Sequence, residues 1–166
     1  MTASEIRDLF AYNVWANRRT FESAAQVPPE QYHLDLKSSH GGLHGTLIHL
    51  VGAEQVWLAR WTDGPDKTML KPESVPSLQE LIARWETVHA NMARFTSSMT
   101  DARLKEHFTV RNLKGDEMVN TFQEMLQHLA NHSTYHRGQA AGMMRQFGIA
   151  PQATDLIRYY RELRTA

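Results

Sequence analysis

The 166-residue sequence has no cysteine, which excludes disulfides, thiolate metal ligands and a cysteine nucleophile. It has no charge excess either: Lys plus Arg and Asp plus Glu each number 18, so no overall field draws in nucleic acid or an anionic membrane. No apolar run approaches the ~20 residues of a membrane span. Met1–Asp8 lacks the basic start and apolar block of a secretory signal. Together these absences lead us to expect a cytoplasmic protein with no membrane or nucleic-acid partner. Asn131-His132-Ser133 matches a glycosylation sequon, but without a secretory signal the match carries no meaning. What is present is ordinary for a globular chain: 42% hydrophobic and 22% charged residues. A chain of this size buries roughly 70% of its unfolded surface, so residues 1–166 are expected to form one domain.

Helical periodicity dominates. Thr2 with Glu5 has capping-box spacing and predicts a first helix running to about Gln26, where Pro28-Pro29 stops it. Its apolar positions Ile6, Leu9, Phe10, Ala16 and Phe21 are interrupted by Asn13; Asn13 and Asn17 read as polar groups on its flank. Residues 30–42 carry little periodicity and end in an ordinary Gly41-Gly42 turn, beside which His40 and His44 read as surface residues. A second helix is predicted from about Leu43 to Trp61. Its seam of Leu43, Leu47, Leu50, Glu54, Trp57 and Trp61 places a carboxylate in the core. Burying that carboxylate costs several kcal/mol unless it is paired, so Glu54 reads either as a base or a support for a site, or as the partner of Arg60, Arg137 or another base. Ser77 with Glu80 opens a third helix to about Met99. A short hairpin is expected over 107–119, with Leu113-Lys114-Gly115-Asp116 as its turn. Thr121 with Glu124 opens the fourth long helix, ended by Gly148 and Pro151. Thr154 is expected to cap a short closing helix, docked by Leu156, Ile157 and Tyr160.

The fourth long helix carries His128, His132 and His136, each four residues from the next. Side chains at that spacing share a helix face. With His at 9 of 166 positions, chance supplies only about 0.03 such triples. Turning at about 100° per residue, His136 falls on the apolar seam and His132 beside it, while His128 drifts to the flank. Two inward imidazoles with no carboxylate in the next turn need a reason, and a metal bound by their neutral forms supplies one. Gly138 inside the helix suggests the close approach of something. The third ligand must come from another helix. His49, on a side of the second helix that also carries Gly45, Gly52, Ala53 and Val56, is the best-placed candidate, and His89 is the next. Periodicity alone leaves His49 open between a ligand and a solvated residue.

Three blocks carry a resemblance: Tyr12-Asn13-Val14-Trp15-Ala16-Asn17, the run from His44 to Leu58, and Asn131-His132-Ser133-Thr134-Tyr135-His136-Arg137-Gly138-Gln139. With Arg145-Gln146-Phe147-Gly148 and Thr154-Asp155-Leu156-Ile157, they resemble the DinB family (DinB/YfiT-like) over nearly the whole chain. The resemblance implies an all-α four-helix bundle of up-down-down-up order, here with the hairpin-like insertion before helix four and the short C-terminal helix, often as a homodimer. It further implies a divalent metal, zinc or nickel, held at positions that map to His49, His132 and His136.

Three neutral imidazoles leave a divalent metal with open positions, as in catalytic sites. The expected function is a metal-dependent enzyme transferring a low-molecular-weight thiol to an electrophilic small-molecule substrate, with Arg137 or Tyr135 orienting a partner. The alternatives are hydrolysis by metal-bound hydroxide with Glu54 as base, and a non-catalytic metal- or ligand-binding protein of a stress response. A serine hydrolase using Ser133 fits poorly, because that serine sits mid-helix without a strained turn to expose it.

Overall fold

Three capping boxes open three of the long helices of the computed structural model, which describes residues 1–111 and 115–165. Thr2 caps α1 (Ala3–Ala24), Ser77 caps α4 (Leu78–Ser97) and Thr121 caps α5 (Phe122–Gln146), each with a reciprocal bond from the glutamate three residues on. Between α1 and α4 lie the short α2 (Pro29–Tyr32), for which no helix was expected, and α3 (Leu43–Thr62). Pro29 occupies the first turn of α2, where its missing N–H costs nothing. Asp63 ends α3 in the left-handed conformation at φ 52°, which aspartate tolerates better than most residues.

A two-stranded antiparallel hairpin separates α4 from α5. Strand β1 (His107–Arg111) pairs with β2 (Glu117–Thr121) in a register running from His107 opposite Thr121 to Arg111 opposite Glu117. Gly115 and Asp116 of the expected turn follow, but Leu113 and Lys114, like Asn112 at the end of the expected first strand, lie outside the described residues.

The closing helix α6 (Leu156–Leu163) departs from expectation in two ways. Asp155, not Thr154, holds the N-cap position and makes no side-chain capping bond; Thr154 instead accepts the Tyr12 hydroxyl through its carbonyl at 2.8 Å. Docking falls to Tyr159, which is buried against Tyr12 and Trp15 at ring separations of 5.8 and 5.5 Å. Leu156, Ile157 and Tyr160 are exposed. The expectation failed because eight residues of helix carry two apolar sides, and only the position of α1 decides which one is covered.

Each of α3 and α1 packs against both α4 and α5. Two apolar clusters fill the interior. One gathers Phe21, Leu43, Leu47, Leu50, Trp85 and Met144; the other gathers Ile6, Phe10, Trp61, Phe95, Leu126 and Leu129. Trp61 stacks on Phe95 at 5.3 Å, and Phe21 meets Trp85 edge-on at 5.1 Å. Along α1 and α5 the two clusters are separated by buried polar residues: Asn13 and Asn17 on one helix, Ser133 and Arg137 on the other.

Candidate metal centre

The helical spacing of four residues puts His132 and His136 on the side of α5 that faces α3, and α3 presents His49 to them. His132 Nε2 lies 3.1 Å from His49 Nε2 and 3.1 Å from His136 Nε2. An imidazole nitrogen carries either one proton or one lone pair. It therefore cannot satisfy two such neighbours at once by hydrogen bonding. Nitrogens bound to one tetrahedral zinc at about 2.0–2.1 Å would lie about 3.3 Å apart, close to the separations seen. Two of the separations among the helix-borne imidazoles are thus of the size that a shared cation sets.

A fourth ring joins them. His40, expected at the surface, is half-buried and stacks on His49 with ring centroids 3.9 Å apart and planes 17° from parallel; it meets His136 edge-on at 5.2 Å. His40, His49 and His136, without His132, form the group whose ligand atoms all lie within 4.8 Å of one another and could hold a metal ion. The signal that could have found His40 is Gly45. A Cβ at Gly45 would lie 1.9 Å from the His40 carbonyl oxygen, so the glycine admits the backbone of the preceding loop against the helix. The small side of α3 thus makes room for chain as well as for ligand: at Gly52 a Cβ would come within 3.2 Å of Leu70 N.

His128 is exposed and packs edge-on against Trp57 at 5.8 Å, turned to the flank as the helical angle predicts. His89 sits against Trp85 on α4 and is not part of the cluster. Gly138, expected to admit a close neighbour, has nothing within 4 Å of the place a Cβ would occupy.

The electrostatics favour neutral rings. Burial, with the neighbouring His40 and His136 adding to it, pushes His49 down to about 4. Burial and then the rings of His136, His49, His128 and His40 push His132 down to about 4. Burial also lowers His40 and His136, the latter against a hydrogen bond to Gln139 that favours its proton. The cluster therefore presents lone pairs at neutral pH, the form that ligates metal. His136 Nδ1 lies 2.8 Å from Gln139 Oε1. An amide oxygen only accepts, so Nδ1 carries the proton and Nε2 is left free to ligate. His132 Nδ1 is buried without a partner among the described residues.

Behind the imidazoles lies the fate of Glu54. Its Oε1 accepts from Asn13 Nδ2 at 2.6 Å, Asn17 Nδ2 at 2.9 Å and Ser133 Oγ at 3.0 Å. The carbonyl oxygens of the same two asparagines accept from Arg137 Nη1 at 2.6 and 2.9 Å. Arg137 Nη2 donates to Thr134 Oγ1 at 2.7 Å and to Tyr12 Oη at 3.3 Å. Asn13 and Asn17 are thus not flank residues; they bridge a buried carboxylate to a buried guanidinium. Burial raises Glu54, opposed in order by Asn13, Asn17, Ser133 and Arg137. Arg137 is 2% exposed and both of its terminal nitrogens bond interior groups, so it is not placed to orient a substrate. Tyr135, 63% exposed with its ring 5.1 Å from His136, still can.

A cavity of about 790 Å³ lies elsewhere, between α3 and α4, and none of the four histidines lines it. The chemistry of the side chains, not the size of the hollow, locates the site.

The model of the DinB family matches residues 1–164. The chain is also 26% identical over 161 residues to Protein DinB of Bacillus subtilis (strain 168), covering 91% of each chain.

Proposed function

The chain belongs to the DinB family, and from that premise we propose that His49, His132 and His136 hold one divalent metal, zinc or nickel, in a metal-dependent enzyme of the thiol S-transferase type. The single observation behind this reading is His132 Nε2 standing 3.1 Å from two other imidazole nitrogens. A metal held by three neutral imidazoles keeps open positions and, when bound, favours ionisation of a thiol or water.

The residues of the chain supply the rest. Gln139 holds the tautomer of His136. The Glu54–Asn13–Asn17–Arg137 network fixes α1, α3 and α5 against one another, so the imidazoles of α3 and α5 stay in register. Tyr135 stands exposed beside His136, where its hydroxyl can hydrogen-bond an incoming electrophile. The absence of cysteine leaves the thiol to come from a low-molecular-weight cosubstrate.

The test is thiol-dependent consumption of a panel of epoxides and monochlorobimane by the zinc- or nickel-loaded protein. Turnover that requires both metal and thiol supports the reading. Metal binding without turnover of any thiol would move the assignment to a non-catalytic metal- or ligand-binding protein. Hydrolysis with Glu54 as base draws less support, because Glu54 is occupied in the interior.

We also read the four long helices as an up-down-down-up bundle. Met1 bonds Gln123 and Arg137 reaches Asn13, which supports α1 and α5 running together. Thr46 touching Met143 and His49 meeting His132 support α3 running against α5. Arg84 bonding Gln55 and Trp61 stacking on Phe95 support α3 and α4 running together. No helix among the described residues is long and apolar enough to cross a membrane, in line with the cytoplasmic location we propose. A homodimer belongs to the same reading, and light scattering on the purified protein checks it.

A further inference from the structure

Four imidazoles meet at this centre, and the fourth comes from a loop. His49, His132 and His136 project from α3 and α5, whose relative placement is held by the buried Glu54–Arg137 network. His40 projects from the turn before α3. Its backbone is firmly placed. Gly41 N–H donates to Ser38 O at 3.0 Å, Leu36 N–H to Gly41 O at 2.7 Å, and Gly42 N–H to His40 O at 3.0 Å. Gly41 sits at φ 79°, a conformation glycine adopts at no steric cost. Gly45 admits the His40 carbonyl where any Cβ would collide with it.

The ring of His40 is another matter. It is half-buried, and neither of its nitrogens has a hydrogen-bond partner in the protein among the described residues. By contrast His136 is pinned by Gln139. An anchored backbone carrying a ring held only by its contacts with His49 and His136, and by no hydrogen bond, describes a ligand that reaches the centre in one rotamer and leaves it in another without moving the chain.

We propose, resting on the metal reading above, that His40 is a fourth, exchangeable imidazole ligand of the centre. It closes the coordination shell in the resting protein and turns out about its side-chain torsions to open one position for an incoming thiolate. A site with four protein ligands is closed and one with three is open. Exchange of His40 would make this centre one or the other according to whether the thiol is present, protecting the metal from bulk water until the cosubstrate arrives. It would also explain why the structure spends a glycine on α3, where helix propensity disfavours it, to seat a histidine-bearing loop there.

X-ray absorption spectroscopy of the zinc-loaded protein tests this, because it counts imidazoles and sulfurs around the metal without reference to activity. The expected result is four imidazoles in the wild type and three in His40→Ala. Adding 2-mercaptoethanol to the wild type should replace one imidazole with one sulfur. His40→Gln, which keeps the bulk of the ring, should show the same loss. So should Gly45→Ala, which displaces the loop with His40 still present; circular dichroism on each variant checks that the helices remain. Three imidazoles in both wild type and His40→Ala would overturn the proposal and leave the three-histidine centre standing, with His40 as a packing ring. Four imidazoles that persist in the presence of the thiol would overturn the exchange. Failure of the wild type to bind zinc at all would overturn the centre itself, and this proposal with it.

Discussion

His132 Nε2, within 3.1 Å of two other imidazole nitrogens, sets what substitution does at each neighbouring residue. His132→Ala and His136→Ala should abolish metal binding, measured by elemental analysis after dialysis, whereas His128→Ala should keep it because that ring faces the flank. Gln139→Ala frees the tautomer of His136 and should weaken metal affinity by about 10–100-fold in a chelator competition. The interior makes its own prediction. Arg137→Met removes the cation from a buried network, leaving the Asn13 and Asn17 oxygens unpaired and the Glu54 carboxylate without its counter-charge, which should cost about 3–5 kcal/mol in urea unfolding. Part of this was legible in the sequence. The inward direction of His132 and His136 follows from 100° per residue, and Glu54 stood out as a carboxylate on an apolar seam. The partners were not legible, since Asn13 and Asn17 reach Glu54 across 41 and 37 residues of chain. Periodicity describes one helix at a time and says nothing of what faces it.

At the scale of the element, the local signals were the readable ones. The capping boxes of α1, α4 and α5 involve residues three apart, and all three are present. What depends on a second element was misread. The docking side of α6 is chosen by α1, and the surface reading of His40 failed because a loop lies against Gly45. The two helical glycines should therefore behave oppositely. A Cβ at Gly138 meets nothing within 4 Å, so Gly138→Ala should stabilise the protein by about 0.5–1 kcal/mol through helix propensity alone. At Gly45 the same methyl collides with the His40 carbonyl oxygen, so Gly45→Ala should destabilise. Thermal melts of the two variants, run side by side, check both signs.

Over the whole molecule, the cluster of neutral histidines couples stability to pH. Burial, followed by the neighbouring imidazoles, pushes His49 and His132 down to about 4 in the folded protein, against about 6.5 for an ordinary histidine. Between those values the unfolded chain binds more protons than the folded one. The stability of the metal-free protein should therefore be at its full value above about pH 6.5 and fall as the pH drops toward 4. Urea titrations across that window should show this, and replacing both His49 and His132 with phenylalanine should flatten it. Metal that binds the folded chain alone should raise the melting temperature with concentration. The helical class and the histidine pair follow from composition and spacing. The meeting of α3 with α5, which assembles the centre, is a property of the packed molecule.

A divalent metal held through His49, His132 and His136, as proposed, has a direct chemical signature. Elemental analysis of purified protein, paired with His49→Ala, tests it most directly. The wild type should carry about one divalent ion per chain, and the variant should lose it. A wild type that carries no metal after loading, or a His49→Ala variant that retains full occupancy, would contradict it.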